Sequence, residues 1–162
     1  MKTISIFSLL MLLNVNFLAQ PQSGNIGISV VVQNEQLDFL VPILLTDKLA
    51  ISPAFGVRSI SDQYTDVAIG GILRYYFRNQ IVSPFIGGRF GALILSPKEG
   101  DATTDLIFGP LFGAEYYFTK NFSVGIELQL NIVSSGENSD RFGNPGGTNL
   151  NTATAFFATI YF

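Results

Sequence analysis

Between Phe122 and Val133 the chain alternates without interruption. Phe122, Val124, Ile126, Leu128, Leu130 and Ile132 fall on one side, and Ser123, Gly125, Glu127, Gln129 and Asn131 on the other. Successive side chains of an extended backbone point to opposite faces, so this pattern specifies a strand, and one longer than the soluble average. The preceding stretch, 105–118, repeats the arrangement more loosely. Leu106, Phe108, Pro110, Phe112, Ala114, Tyr116 and Phe118 share one face, while Asp105, Gly109, Gly113 and Glu115 share the other. Only Thr119, Lys120 and Asn121 separate the two stretches. Two long strands joined by a tight turn, greasy on one face and polar or small on the other, suggest a hairpin of a transmembrane β-barrel.

The overall composition agrees. Hydrophobic residues make up 48% of the 162-residue chain and charged residues only 13%, where about 25% charged is usual for a soluble domain. Something other than water must cover much of the outside. Yet nothing after residue 20 supplies the ~20 consecutive apolar residues of a membrane helix, and a closed barrel is the other structure that can span lipid. The absence of Cys removes disulfide and thiolate chemistry, and the absence of His removes the commonest general base and metal ligand. A net charge of −3 offers no broad basic surface to nucleic acid. No cofactor motif is present.

Residues 1–19 read as a secretory signal, with Lys2 ahead of a short apolar core from Ile4 to Leu13. A single domain is then expected over 20–162. Eight strands are expected, at 24–33, 37–45, 49–60, 67–77, 81–95, 105–118, 122–133 and 153–162. Pro42, Pro53, Pro84 and Pro110 fall inside them; lacking an N–H, each should mark a bulge or a strand end. Short polar breaks at 46–48, 78–80 and 119–121 alternate with longer connections at 61–66, 96–104 and 134–152, the asymmetry of short periplasmic turns and long outer loops. Tyr75-Tyr76-Phe77 and Tyr116-Tyr117-Phe118 stand at equal distances before two of the short breaks and read as an interfacial aromatic girdle.

The last strand carries Phe156, Ala158, Ile160 and Phe162 at alternate positions and closes on an aromatic residue. With the segments 84–88, 113–118 and 122–127, this ending resembles the small outer-membrane β-barrel proteins of the OmpA-like and opacity-like type. The resemblance implies an all-β fold, an eight-stranded antiparallel up-and-down transmembrane barrel. It also implies outer-membrane lipid as the surrounding partner, and a carboxy-terminal signal at Phe156, Ile160 and Phe162 read by the barrel-assembly machinery. It implies a non-enzymatic structural or surface-interaction role. The alternative is a narrow, porin-like transport barrel for small or apolar solutes.

If the apolar face meets lipid, Arg58, Arg74, Arg89, Glu115 and Glu127 lie in the lumen, with Asp38 near them. Glycines on the same face make room for them. Buried charges require partners, so Arg74 and Arg89 are expected to pair with Glu115 and Glu127. Arg74 and Glu115 each stand three residues before the end of their strand at the short-turn rim, which sets them at similar depth as the expected internal pair. Carboxylates held ionised by arginines are poor acid–base catalysts, and no enzyme activity is expected. The Gly-rich stretch 134–152 is the candidate for contact with a surface ligand. A soluble, lipocalin-like carrier would need the opposite arrangement, with the apolar face inward.

Overall fold

The computed structural model describes residues 21–33, 36–60, 63–77 and 80–162. The export signal expected at 1–19 lies outside them. Nine strand segments follow in order: β1 (Gly27–Gln33), β2 (Gln36–Leu40), β3 (Ile43–Thr46), β4 (Leu49–Ile60), β5 (Tyr64–Tyr76), β6 (Val82–Pro97), β7 (Thr103–Thr119), β8 (Phe122–Ser134) and β9 (Thr148–Tyr161). Among the described residues there is no helix.

Apart from β2 and β3, which do not pair with each other, strands adjacent in sequence pair antiparallel, and β1 pairs with β9, bringing Gly27 opposite Tyr161. β2 and β3 both pair with β4 and form two halves of one stave. The result is a closed eight-stave, up-and-down barrel, in which no edge strand is left to pair with another chain. The stave splits at Val41-Pro42, and Pro53 of β4 stands opposite the split, its carbonyl accepting the Val41 N–H at 3.0 Å. Two residues that weaken a ladder thus share one gap. Pro110 marks a second gap, where the β7–β8 pairing steps from Phe108–Ile132 to Leu111–Gln129.

Most strands extend further than alternation alone suggests. β5 begins at Tyr64, β6 runs to Pro97, and β9 begins at Thr148 within the stretch read as loop. β7 has 17 residues, well beyond the ~10 that cross a bilayer. The surplus lies toward the rim that carries the longer loops. Antiparallel pairing above the apolar belt keeps backbone groups bonded, and polar inward side chains there are no obstacle to it.

The faces follow the parity of the sequence. Phe90 and Phe112 point outward with about 61% and 58% of their surface free, whereas Arg74, Glu115 and Glu127 point inward and retain 2%, 0% and 1%. The aromatic triplets divide accordingly. Tyr75, Phe77, Tyr116 and Phe118 face out at the short-turn rim, while Tyr76 and Tyr117 are buried. The outward members contact one another, Tyr116 edge-on to Phe118 at 4.8 Å and Phe118 stacked on Phe122 at 5.5 Å. The girdle is therefore built from alternate members of each triplet, because neighbouring strand residues take opposite faces.

Candidate functional site in the barrel lumen

Four charged side chains enter the lumen opposite a glycine on the neighbouring strand. Arg74 is paired with Gly87, Arg89 with Gly109, Glu115 with Gly125 and Glu127 with Gly113. An eight-stranded barrel is only wide enough for side chains to fill, so a long chain on one strand needs an empty position beside it. Phe157 occupies part of the space over Gly125, where an added Cβ would lie 2.2 Å from its ring.

Three polar tiers result. At the short-turn end, Glu115 accepts hydrogen bonds from Tyr76 Oη at 2.6 Å, Ser123 Oγ at 2.5 Å and Tyr161 Oη at 3.0 Å. Above it, Arg74 donates from Nε and Nη2 to Glu127 Oε2 at 3.0 and 2.9 Å. The guanidinium lies between two rings, 4.3 Å from the Phe157 centroid and 5.0 Å from that of Phe85, an arrangement that offsets lost hydration. The other oxygen of Glu127 accepts from Gln129 Nε2 at 2.6 Å, and Gln129 in turn accepts from Arg89 Nη1. Arg74, Glu127, Gln129 and Arg89 form one chain of hydrogen bonds across the lumen.

The partners differ from those expected. Arg74 meets Glu127, but Arg89 reaches a glutamine, and Glu115 is held by hydroxyls rather than by an arginine. Tyr76, one inward step below Arg74 on β5, takes Glu115 first. Three donors on one carboxylate leave little for a fourth to gain. Arg58 lies outside the cluster. It has the inward parity of β4, but it is exposed near the outer end, where its guanidinium sits 6.0 Å from the Tyr64 ring. Alternation gives the face but not the partners: Arg58 pairs in register with Asp66, whose carboxylate is taken by Arg141, and the Arg58 side chain stays exposed. Asp38 lines a cavity of about 40 Å³ together with Arg89, Gln129, Ala68, Leu93 and Ile107. Such a volume holds two or three waters, at ~10–15 Å³ each.

A third tier closes the outer mouth. Arg141, from the connection after β8, forks onto Asp66 of β5 at 2.6 and 2.7 Å and reaches Asp105 of β7 at 3.1 Å. Burial by itself would lower the Arg141 pKa. The hydrogen bonds and charge of Asp66, with those of Asp105, more than reverse this and hold it above its ordinary value.

The closed barrel is similar in shape to several solved structures. The chain superposes on the N-terminal β-barrel domain of Pseudomonas aeruginosa OprF with a TM-score of 0.60 at 13% identity, covering 86% of this chain and 98% of that one. It superposes on Neisserial surface protein A (NspA) with a TM-score of 0.58 at 16% identity, over 85% and 94%. For the outer membrane protein OprG of P. aeruginosa the values are 0.52 and 10%, over 90% and 99%. The fold is that of the small outer-membrane β-barrels. No protein-family model matches the sequence, and no curated protein is similar to it. The likeness is therefore one of architecture, carried by pairing pattern and polarity rather than by conserved motifs.

Sequence reading missed several lumen residues of this outer-membrane-type barrel. Alternation puts Ser123 and Gln129 on the polar face but not in the charge network, the triplet pattern reads Tyr76 with the girdle, and Tyr161 is not singled out; inward polar parity was the available signal for all four. Arg141 had no such signal, because its partners lie 75 and 36 residues away.

Proposed function

We propose that this chain is an outer-membrane β-barrel protein with a structural or surface-interaction role and no enzymatic activity. In this reading residues 1–19 are its export signal and 20–162 its single domain. The observation that carries the reading is the inversion of polarity. Large apolar side chains cover the outside, while the buried positions hold Arg74, Glu115 and Glu127. A soluble carrier with that outside would expose an apolar belt far larger than soluble monomers tolerate; in lipid the same belt is the stabilising surface.

Against catalysis stand the chemistry and saturation of the lumen. The sequence contains no His and no Cys, and Glu115 already accepts from three hydroxyls. Transport through the lumen is opposed by the Arg74–Glu127 tier and the tyrosines below it. Barrels with aqueous channels have about 16 strands. Phe156, Ile160 and Phe162 all point outward at the closing strand, where the assembly machinery could read them from the lipid side. The stretch 134–152 remains the candidate for a surface ligand.

Gel mobility of the detergent-extracted membrane fraction, heated against unheated, tests the reading. A heat-dependent shift is expected, since every ladder bond of a closed barrel is satisfied and SDS alone does not unravel it. Recovery of unshifted protein in the soluble fraction would reject it. Steady conductance in planar bilayers would move the assignment to the transport alternative.

A further inference from the structure

We propose that the segment 135–147 is a lid on the outer mouth of the barrel, and that Arg141 is its latch. Asp105 stands in the barrel wall on β7 and is fully buried. Among the described residues its hydrogen-bond donors all come from this segment: Gly136 N at 2.9 Å on Oδ1, and Ser139 Oγ at 2.9 Å and Arg141 Nε at 3.1 Å on Oδ2. A buried wall carboxylate whose partners all belong to a loop serves to hold that loop. Asp66 adds a second anchor, taking Nη1 at 2.6 Å and Nη2 at 2.7 Å in the bidentate geometry that a guanidinium favours.

The two anchors are at one height on strands that are not neighbours. Asp66 pairs with Leu95 of β6 and Asp105 with Leu93 of the same strand, so Arg141 straps β5 to β7 across β6. The segment itself is a built structure. Ser135 N donates to Gly147 O at 2.9 Å, Gly146 N to Gly136 O at 2.9 Å, and Gly143 N to Asp140 O at 3.0 Å. Gly143 and Gly146 take φ values of 67° and 68°, the left-handed region that glycine enters without strain. The segment therefore holds together as a unit whose base continues the β8–β9 ladder.

One inward step below the two anchors along their strands is the cavity lined by Ala68, Leu93, Ile107, Arg89 and Gln129. Ala68 is the next inward residue of β5 after Asp66, and Ile107 the next of β7 after Asp105. Below the cavity the Arg74–Glu127 tier still closes the lumen. Lifting the lid therefore opens a vestibule, not a channel. In the closed state Arg141 ion-pairs with two carboxylates that would otherwise be buried without a cation, and in the open state all three groups regain water. The two states are thus each electrostatically consistent. The lid depends on the barrel fold and not on whether the surface has a partner.

Thiol accessibility tests the lid, because the chain has no native cysteine. Ala68→Cys places a thiol on the cavity wall, and Asn138→Cys places one on the exposed outside of the lid. Refolded protein is labelled with N-ethylmaleimide, and unboiled gel mobility reports folding of each variant. With the latch intact, Ala68→Cys is expected to react at least about tenfold slower than Asn138→Cys, since reaction waits on local opening. Adding Arg141→Ala is expected to remove most of that difference. Arg141→Lys, which keeps a positive charge between Asp66 and Asp105, is expected to retain part of it. Equal rates at the two sites with the latch intact would overturn the proposal without any change to Arg141. So would an unchanged slow rate in folded Ala68→Cys, Arg141→Ala protein.

Discussion

Arg74 is the side chain on which the middle of the lumen depends. It is 2% exposed, bonded twice to Glu127 and flanked by two aromatic rings. Removing one member of such a pair strands the other, which costs about 3–5 kcal/mol, whereas replacing both by apolar residues is often neutral. Glu127→Ala is accordingly expected to destabilise the barrel by about that amount. Arg74→Leu with Glu127→Leu together is expected to lose much less than the sum of the single changes, as read from urea unfolding in lipid vesicles. Glycine provides a second test at this scale. Gly125→Ala drives a methyl into the Phe157 ring at 2.2 Å, while Gly88→Ala on the outer face has only the Gly109 carbonyl at 3.8 Å. Overpacking costs about 1–3 kcal/mol; the first change is expected to show it in the same unfolding assay and the second is not.

At the scale of elements, β9 and the lid carry the expectations. β9 closes the barrel against β1, and Phe162 donates its N–H to Ile26 O at 2.9 Å while its ring stays outside. Phe162→Ser removes only the outward ring and keeps the backbone bond. If the ring is an assembly signal, the amount of heat-shifted barrel in the outer membrane falls several-fold in cells, while refolding of the purified variant in detergent is unaffected. Arg141 sets the pH behaviour of the lid. The titratable groups around it are Asp66 on β5, Asp105 on β7 and Asp140 beside it in the segment, with Arg58 on β4 across from Asp66. The closed lid raises the Arg141 pKa, so its stabilising contribution is fully present below the ordinary arginine value and is lost only as pH rises beyond the raised one. The labelling rate of Ala68→Cys, taken relative to Asn138→Cys, is therefore expected to stay constant from about pH 7 to pH 10, where arginine remains charged.

For the whole molecule, polarity, closure and plugging act together. A shell of outward apolar residues selects lipid, pairing of β1 with β9 removes the edges, and the three polar tiers fill the space that eight strands enclose. Wild-type protein is expected to show no steady conductance in planar bilayers, and Arg141→Ala is expected to leave that result unchanged because the Arg74–Glu127 tier lies below the lid. The eight staves and the inward position of Arg74, Arg89, Glu115 and Glu127 were legible in alternation, whereas it makes the longer connections too long, β9 beginning at Thr148. Alternation also placed Arg58 inward, yet its side chain is exposed at the outer mouth, level with Asp66. Counting residues from the short-turn rim sets Arg74 at the depth of Glu115 and makes them the expected pair, whereas in the closed barrel Arg74 bonds Glu127. The direction of a side chain from a strand is a local property of the backbone, so the sequence by itself determined which residues face lipid and which face inward. Depth and partnership depend on how the staves are staggered when the sheet closes. Arg74 meets Glu127 across 53 residues, and Arg141 meets Asp66 across 75. Only the closed tertiary structure decided those contacts, because closure alone brings such distant strands to the same height around one lumen.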